Sequence, residues 1–230
     1  MTMDNLIYEG KAKMIFTTED PDQVLMYFKD DATAGNRAKE AVFKGKGALN
    51  CSITHKLFNR LTVNTHHIKT IGDREMIVKK LDIIPLEVIV RNIAAGTFCK
   101  RYGVDVGTPL RKTIIEFCVK DDALNDPLIN DDAVIALGIS DSITLSILKE
   151  QSLRINTELT NIFAVHNLRL VDFKLEFGMT RRGGIVLADE ICPDTMRLWN
   201  DKNESFDKDL FRNNTGDLLA GYETVDRLLQ

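Results

Sequence analysis

One short stretch of the sequence carries charged side chains at a spacing suited to chemistry. Residues 170–178, LVDFKLEFG, alternate between apolar and charged side chains up to Phe177. In a β-strand this alternation places Asp172, Lys174 and Glu176 on one face, with same-face neighbours about 7 Å apart. Such an acid–base–acid row is typical either of a charged outer face or of a site for phosphate and metal. The local pattern leaves both interpretations open.

The segment that follows supplies further carboxylates. After a turn, the apolar run at 185–188 leads into Asp189 and Glu190, so the two strands are expected to form a hairpin. With residues 182–183 as a two-residue turn, Asp189 lies opposite Glu176, and a one-residue slip places Glu190 there instead. In both registers a carboxylate faces Glu176. Two carboxylates around a lysine suit Mg²⁺, which takes oxygen ligands and shares them with substrate phosphates.

A second motif, YEGKAK at residues 8–13, offers two cations to an anionic ligand. Gly10 allows close approach of the backbone, and Lys11 and Lys13 point the same way in an extended segment. They suit phosphate oxygens, although lysines on an edge strand also prevent aggregation. The sequence has no GxxxxGK[ST] loop and no GxGxxG opening a helix after a strand, which excludes a P-loop NTPase and a Rossmann dinucleotide site.

Arginines also occur at the ends of predicted strands. An apolar strand over residues 86–90 delivers Arg91 into a small-residue turn, where the Gly96 amide and the Thr97 hydroxyl suit an oxyanion. Arg197 follows the hairpin acids and is placed to contact the same ligand. A surface turn explains the Arg91 segment equally well.

Lysines at two other places lead to different expectations. Lys79 and Lys80 are adjacent at a strand end, so one of them faces the core side or a cleft, where a phosphate would serve as its partner. The polar stretch that contains Lys44 and Lys46 is instead expected to be part of a mobile surface loop.

Composition narrows the class of protein. The 230 residues are 44 % hydrophobic and 28 % charged, which is ordinary for a soluble globular protein, and the net charge of −4 argues against nucleic acid and anionic membrane as partners. No stretch approaches the roughly 20 apolar residues of a membrane span, and the first five residues do not read as a signal peptide. The cysteines and histidines lack metal-ligand spacing, so a cytoplasmic chain with free thiols is expected.

The remaining pattern predicts a mixed α/β chain whose first third is rich in strands. Strands are expected near residues 7–8, 12–16, 24–28, 75–81 and 86–90, and helices over 48–61, from a cap at Asp141 or Ser142 to 163, and over 218–229. Pro85 marks residues 81–85 as a connection, because proline cannot donate to a strand ladder. We place a boundary there, between a strand-rich lobe (1–82) and a larger α/β lobe (83–230).

In their order along the chain these motifs resemble the phosphoribosylaminoimidazole-succinocarboxamide synthase (SAICAR synthetase) family. The resemblance covers nearly the whole chain and rests on segments at residues 8–13, 34–35, 78–82, 85–97, 120–127, 170–178 and 189–197. It implies an α+β, two-lobed fold, kinase-like or ATP-grasp-like, with the active site in the cleft between the lobes. It also implies an ATP-dependent carbon–nitrogen ligase of de novo purine biosynthesis. ATP phosphorylates the carboxylate of carboxyaminoimidazole ribonucleotide (CAIR), and L-aspartate attacks the acyl phosphate to give SAICAR, ADP and phosphate.

The resemblance further implies residue roles. The catalytic residues would be Asp172, Lys174, Glu176 and Asp189, with Glu176 and Asp189 holding Mg²⁺ and Asp172 orienting Lys174. The ATP-binding residues would be Lys11, Ala12, Lys13, Lys79, Lys80 and Leu81, and the ribonucleotide-binding residues Arg91, Gly96, Thr97 and Arg197. Thr97 and Cys192 stand where the family pattern has serine, and the weaker thiol donor puts a hydrogen bond at Cys192 in doubt. A homo-oligomer is expected by analogy.

Two other functions fit part of the pattern. A kinase-like phosphotransferase would use Lys11, Lys174, Glu176 and Asp189 similarly but need no aspartate, and a nucleotide-sensing module could dispense with the metal carboxylates. The sequence does not show which residues bind aspartate. The candidates are the loops at residues 31–36 and 116–127.

Overall fold

The computed structural model describes residues 5–35 and 38–230 of the chain. The strands are β1 (Leu6–Glu9), β2 (Lys13–Thr17), β3 (Gln23–Phe28), β4 (Asp31–Ala34), β5 (Lys39–Val42), β6 (His67–Gly72), β7 (Glu75–Lys79), β8 (Asp82–Ile93), β9 (Pro109–Val119), β10 (Leu128–Ile129), β11 (Arg169–Met179), β12 (Ile185–Ala188) and β13 (Met196–Trp199). The α-helices are α1 (Lys46–Phe58), α2 (Gly96–Tyr102), α3 (Asp131–Ala136), α4 (Ser142–Ala164), α5 (Asp209–Asn213) and α6 (Leu218–Leu228).

The strands form two large antiparallel sheets and one small one. The first sheet has the order β1-β2-β3-β7-β6, and the second has the order β10-β9-β8-β11-β12, with β13 pairing with β11 as well. Strands β4 and β5 pair separately. The first sheet is built from strands that end by Lys79 and the second from strands that begin at Asp82. The division into lobes at residue 82 stays a prediction.

Strand β11 lies at the centre of the second sheet, between β8 on one side and β12 and β13 on the other. Phe173, Leu175 and Phe177 enter the main hydrophobic core. Asp172 and Glu176 point to the other face and are each only 4 % exposed. A row of solvated surface charges would be exposed, so the charged-outer-face interpretation is wrong.

Helices cover the core face of this sheet. The Asp141 carboxylate accepts a hydrogen bond from the Thr144 amide and caps α4, as expected from the sequence. Leu148 and Leu159 of α4 share the main core with Ile53 and Leu57 of α1. Helix α1 therefore packs with the larger part of the chain, although it precedes residue 82.

The connection predicted around Pro85 is wrong. Strand β8 runs from Asp82 through Pro85 to Ile93. Its register against β11 shifts between the Glu87–Glu176 and Ile83–Gly178 pairs, so Pro85 falls in a bulge. The ring is exposed there, and a bulge is a position where proline's missing donor is tolerated within a sheet.

The predicted hairpin register is also wrong. Ala188 lies opposite Glu176, and Met179 opposite Ile185. The amide of Thr180 donates to the carbonyl of Gly184, so the loop contains three residues rather than two. The side-chain period of a strand is two residues, and a shift of one residue moves every carboxylate to the other face. Asp189 therefore reaches the site by a change of backbone direction after β12, not by strand alternation.

The cysteines agree with the expectation of free thiols. All four cysteines are free thiols and buried. Within residues 5–35 and 38–230, no helix is both long enough and apolar enough to cross a membrane.

Candidate active site

Asp189 links the second large sheet to the first through its side chain. It follows β12 directly and has a left-handed backbone with φ of 59°. Its carboxylate forms an ion pair with the ammonium group of Lys13 from the first sheet, and Glu190 pairs with the same ammonium group. The YEGKAK motif and the hairpin acids therefore form one site, although 176 residues separate Lys13 from Asp189.

Lys174 and Glu176 form the second half of this cluster on β11. The Lys174 ammonium lies 2.6 Å from Glu87 Oε1 and 3.2 Å from Glu176 Oε1. The other oxygen of Glu176 accepts from Lys120 at 2.7 Å. Glu87 stands directly opposite Glu176 in the β8–β11 register, which brings its carboxylate to the same face.

The charges of the cluster offset the effect of burial on Asp189, Lys174 and Lys13. Burial alone would raise the pKa of Asp189, but Lys13, Lys174 and Lys120 hold it well below its usual value. Burial also opposes the charge of Lys174, and Glu176, Glu87 and Asp189 more than offset this and raise its pKa. The same balance raises the pKa of Lys13. Lys174 therefore stays an ammonium group at physiological pH and has no free lone pair to accept a proton.

His66 supports this region from the first half of the chain. Its ring is 5 % exposed, and Nε2 lies 3.0 Å from the carbonyl oxygen of Asp189. Burial lowers the pKa of His66 to about 4, so the ring is neutral at physiological pH.

A second cluster, centred on Asp172, gathers the two arginines predicted to bind the ribonucleotide. Arg91 Nη1 and Arg197 Nη1 each lie 2.8 Å from Asp172 Oδ2. Gly96, with φ of 56°, lies against Arg197, and a Cβ atom added there would be 2.6 Å from Arg197 Nη2. Asp172 thus orients the two arginines, whereas Lys174 is held by Glu87. The expectation that Asp172 orients Lys174 is not borne out by these contacts.

The loop after Asp189 is anchored by a buried ion pair. Asp194 pairs with Lys46 of α1 and accepts hydrogen bonds from Asn50 Nδ2 at 2.8 Å and from the Tyr222 hydroxyl at 2.7 Å. Lys46 is fully buried, so its expected place in a mobile surface loop is wrong. The sequence pattern could not show this, because its partner lies 148 positions away in the printed sequence.

The other residues predicted to bind ATP or the ribonucleotide differ in their contacts and exposure. Lys11 contacts Asp122 at 2.8 Å, and Lys79 donates to the carbonyl of Thr65 at 3.0 Å. The Ala12 carbonyl accepts from the Lys29 amide, Leu81 packs over Gly178, and Thr97 is exposed. Lys80 is exposed, and no contact in the described part of the chain joins it to the cluster. Lys79, rather than Lys80, is the partly buried lysine of the pair.

Sequence reasoning missed three members of the site. Glu87 and Lys120 lie in the segments 85–97 and 120–127 but received no role, and Glu190 entered only through a one-residue slip of the hairpin register. Of the three, Glu87 could have been predicted, because it is an acid flanked by apolar residues in a predicted strand.

Comparison of the chain with known proteins identifies its family. The family model described as SAICAR synthetase matches residues 6–228. The chain belongs to the SAICAR synthetase family. It is 49 % identical to the phosphoribosylaminoimidazole-succinocarboxamide synthase of Dichelobacter nodosus over 100 % of this chain and 98 % of the relative. The synthase structure from Ehrlichia chaffeensis superposes with a TM-score of 0.95 at 43 % identity, covering 98 % of each chain.

A SAICAR synthetase solved in complex with ADP is equally close, with a TM-score of 0.94 at 43 % identity over 98 % of this chain and 97 % of that one. The expected α+β fold of the family is confirmed. So is the expected activity class, an ATP-dependent ligase of purine biosynthesis. The bare phosphotransferase and the sensing module are thereby set aside.

Proposed function

We propose that this ligase phosphorylates the CAIR carboxylate at the cluster formed by Lys13, Lys174, Glu176 and Asp189. The observation that supports this most is the convergence of Lys13 from the first sheet with the acids of the second. Carboxylates are poor electrophiles, and an acyl phosphate provides the leaving group that aspartate needs. Phosphoryl transfer is mainly a matter of positioning and charge neutralisation, and both require fixed cations around the transferring group.

The residues of the cluster suit Mg²⁺. Three lysine side chains (Lys13, Lys120 and Lys174) lie among four acidic side chains (Glu87, Glu176, Asp189 and Glu190), which offer the oxygen ligands that Mg²⁺ prefers. No group of three or more metal-ligating side chains occurs among the described residues. That fits an ion bound through one or two carboxylates, here Glu176 and Asp189, and completed by substrate phosphates. When bound, the ion would neutralise charge that develops on the phosphate oxygens.

The lysines of the cluster would bind the phosphates. In the structure these lysines are paired with carboxylates. A nucleotide phosphate is also negatively charged and could replace a carboxylate as the partner of each lysine. We assign Lys13, with Lys11 and Lys79 nearby, to ATP, and Lys174 to the transferring phosphoryl group or the CAIR carboxylate. Lys120 contacts Glu176 at 2.7 Å and joins this set. The resemblance also places Ala12, Lys80 and Leu81 beside ATP.

The Asp172 cluster would hold the ribonucleotide. Arg91 and Arg197 present planar guanidinium groups, which match phosphate geometry in a bidentate fashion. Asp172 fixes both of them, and Gly96, which has no side chain, lies directly against the guanidinium group of Arg197. Thr97, which is exposed, would add its hydroxyl.

Aspartate binding and assembly remain predictions of the resemblance. For aspartate, the loops at 31–36 and 116–127 are candidates, and of the first loop Asn36 lies outside the described residues. A homo-oligomer is likewise proposed by analogy, and a cytoplasmic location is proposed from the free thiols. Sedimentation of the purified protein would test the assembly.

The activity and its site are tested by ADP release from purified protein with ATP, Mg²⁺ and CAIR, with and without L-aspartate. We expect ADP release coupled to SAICAR formation, both dependent on aspartate. ADP release indifferent to aspartate would indicate a phosphotransferase or hydrolysis of the acyl phosphate. Omitting Mg²⁺ tests the metal proposal independently of the activity. Full turnover in the presence of a chelator would contradict a metal site at Glu176 and Asp189.

A further inference from the structure

The ring of His66 makes a hydrogen bond to the backbone of Asp189. Its ring Nε2 lies 3.0 Å from the carbonyl oxygen of Asp189. A carbonyl only accepts hydrogen bonds, so Nε2 must carry the proton. The ring packs edge-on against Phe58, with 5.7 Å between ring centroids. The donor is therefore held by its surroundings in one orientation.

The carbonyl that His66 contacts belongs to an unusual backbone. Asp189 has φ of 59°, in the left-handed region that residues other than glycine rarely adopt. The peptide bearing this carbonyl joins Asp189 to Glu190, and both carboxylates pair with Lys13. A hydrogen bond to this one carbonyl thus fixes the peptide plane from which both acids project.

Backbone pairing between the same two segments stops short of Asp189. The amide of Leu187 donates to the carbonyl of Asn64 at 3.0 Å, and the amide of His66 donates to the carbonyl of Leu187 at 2.8 Å. The His66 ring continues this series by one further bond, beyond the end of β12. Replacing the ring would remove that last bond and leave the backbone bonds in place.

From this geometry we infer that His66 is a positioning residue that sets the direction of the Asp189 carboxylate toward the metal. The inference rests on the proposed role of Asp189 as a metal ligand. Residues that hold metal ligands in this way typically change metal affinity or activity by about 10- to 100-fold when replaced. His66 would act from the first half of the chain on a ligand in the second.

The variants His66→Leu and His66→Gln test the role. Leucine removes the donor, whereas glutamine places an N–H close to the position of Nε2. The neighbouring His67→Leu is the matched control, because the His67 ring faces His55 and Thr70 instead. We would measure binding of Mn²⁺, as a paramagnetic substitute for Mg²⁺, by electron paramagnetic resonance with ADP present. The apparent KM for Mg²⁺ in turnover is the second readout.

His66→Leu is expected to weaken Mn²⁺ binding and raise the KM for Mg²⁺ about tenfold or more, whereas His66→Gln and His67→Leu stay within about twofold of wild type. Wild-type affinity in folded His66→Leu would overturn the role of His66 alone. Absence of Mn²⁺ binding by the wild-type protein would overturn the proposed metal site and this role together. Should His66→Leu not fold, ¹⁵N NMR of the wild-type ring decides, because an unprotonated Nε2 would contradict the hydrogen bond.

Discussion

A methyl group at Gly96 is expected to disable the ribonucleotide site with little effect on the rest of the fold. Gly96 has φ of 56°, and its added Cβ would be 2.6 Å from Arg197 Nη2 and 3.0 Å from Cζ. Ordinary contacts between such atoms are about 3.5 Å or longer, so the guanidinium group must move. It is held on its other sides by Asp172 at 2.8 Å and by Asp209 at 2.7 Å.

The magnitude follows from two separate costs. An L-residue in a left-handed conformation costs roughly 1–2 kcal/mol relative to glycine. Moving Arg197 breaks at least one hydrogen bond between charged groups, worth about 1.5–3 kcal/mol. If that second cost appears in ligand binding, the KM for CAIR rises roughly 10- to 100-fold.

Gly103 provides the matched control in the same helix. It ends α2 with φ of 64°, and an added Cβ would meet nothing within 4 Å. Gly103→Ala carries the left-handed cost without the clash. Denaturant unfolding should therefore show a larger loss of stability for Gly96→Ala than for Gly103→Ala, and CAIR saturation curves should show a raised KM only for Gly96→Ala. Equal KM values in the two variants would refute the assignment of Arg197 to the ribonucleotide.

Three further outcomes are expected. Glu176→Gln should lower SAICAR formation about 100-fold or more while the protein stays folded by circular dichroism, because the amide keeps the shape of the side chain and loses its charge; an unchanged rate at saturating Mg²⁺ would contradict a role of Glu176 in the metal site. Lys120→Met should raise the KM for ATP about tenfold in the same assay, because the ATP phosphates lose one cationic partner. An unaltered KM would exclude a contact between Lys120 and ATP. Asp194→Asn leaves the ammonium of Lys46 buried without its counter-charge and should cost about 3–5 kcal/mol in urea unfolding at pH 7. Burial opposes ionisation of Asp194, but Lys208 and Lys46 hold its pKa below the usual value. The stability that the ionised carboxylate contributes should therefore be lost as pH falls below about 4. A difference in unfolding free energy between wild type and Asp194→Asn that stays constant down to about pH 2 would contradict this.

Local patterns predicted most of the elements. The alternation at residues 170–178, the capped helix after Asp141 and the last helix all follow from side-chain periodicity. Periodicity depends on neighbours within a few residues, and for that reason it can be read without knowing the fold. Pro85 misled the prediction because its effect depends on the partner strand, where a bulge accommodates it.

For the site too, the sequence predicted some features and not others. The order of the motifs along the chain was enough to indicate the family, its chemistry and the acids of β11. It could not show that Ala188 rather than Asp189 faces Glu176, because register is decided by the loop that closes the hairpin. Nor could it show that Lys120 and Glu87 join the cluster, since both are brought there by strand pairing.

The sequence by itself thus determined which residue types are available for phosphoryl transfer and which strands and helices carry them. Only the tertiary structure decided which charge meets which. Lys13 meets Asp189, Arg91 and Arg197 share Asp172, and Lys46 is buried against Asp194. The physical reason is that an ion pair depends on distance in space, and packing of the sheets and helices brings together charges that the chain separates by up to 176 residues.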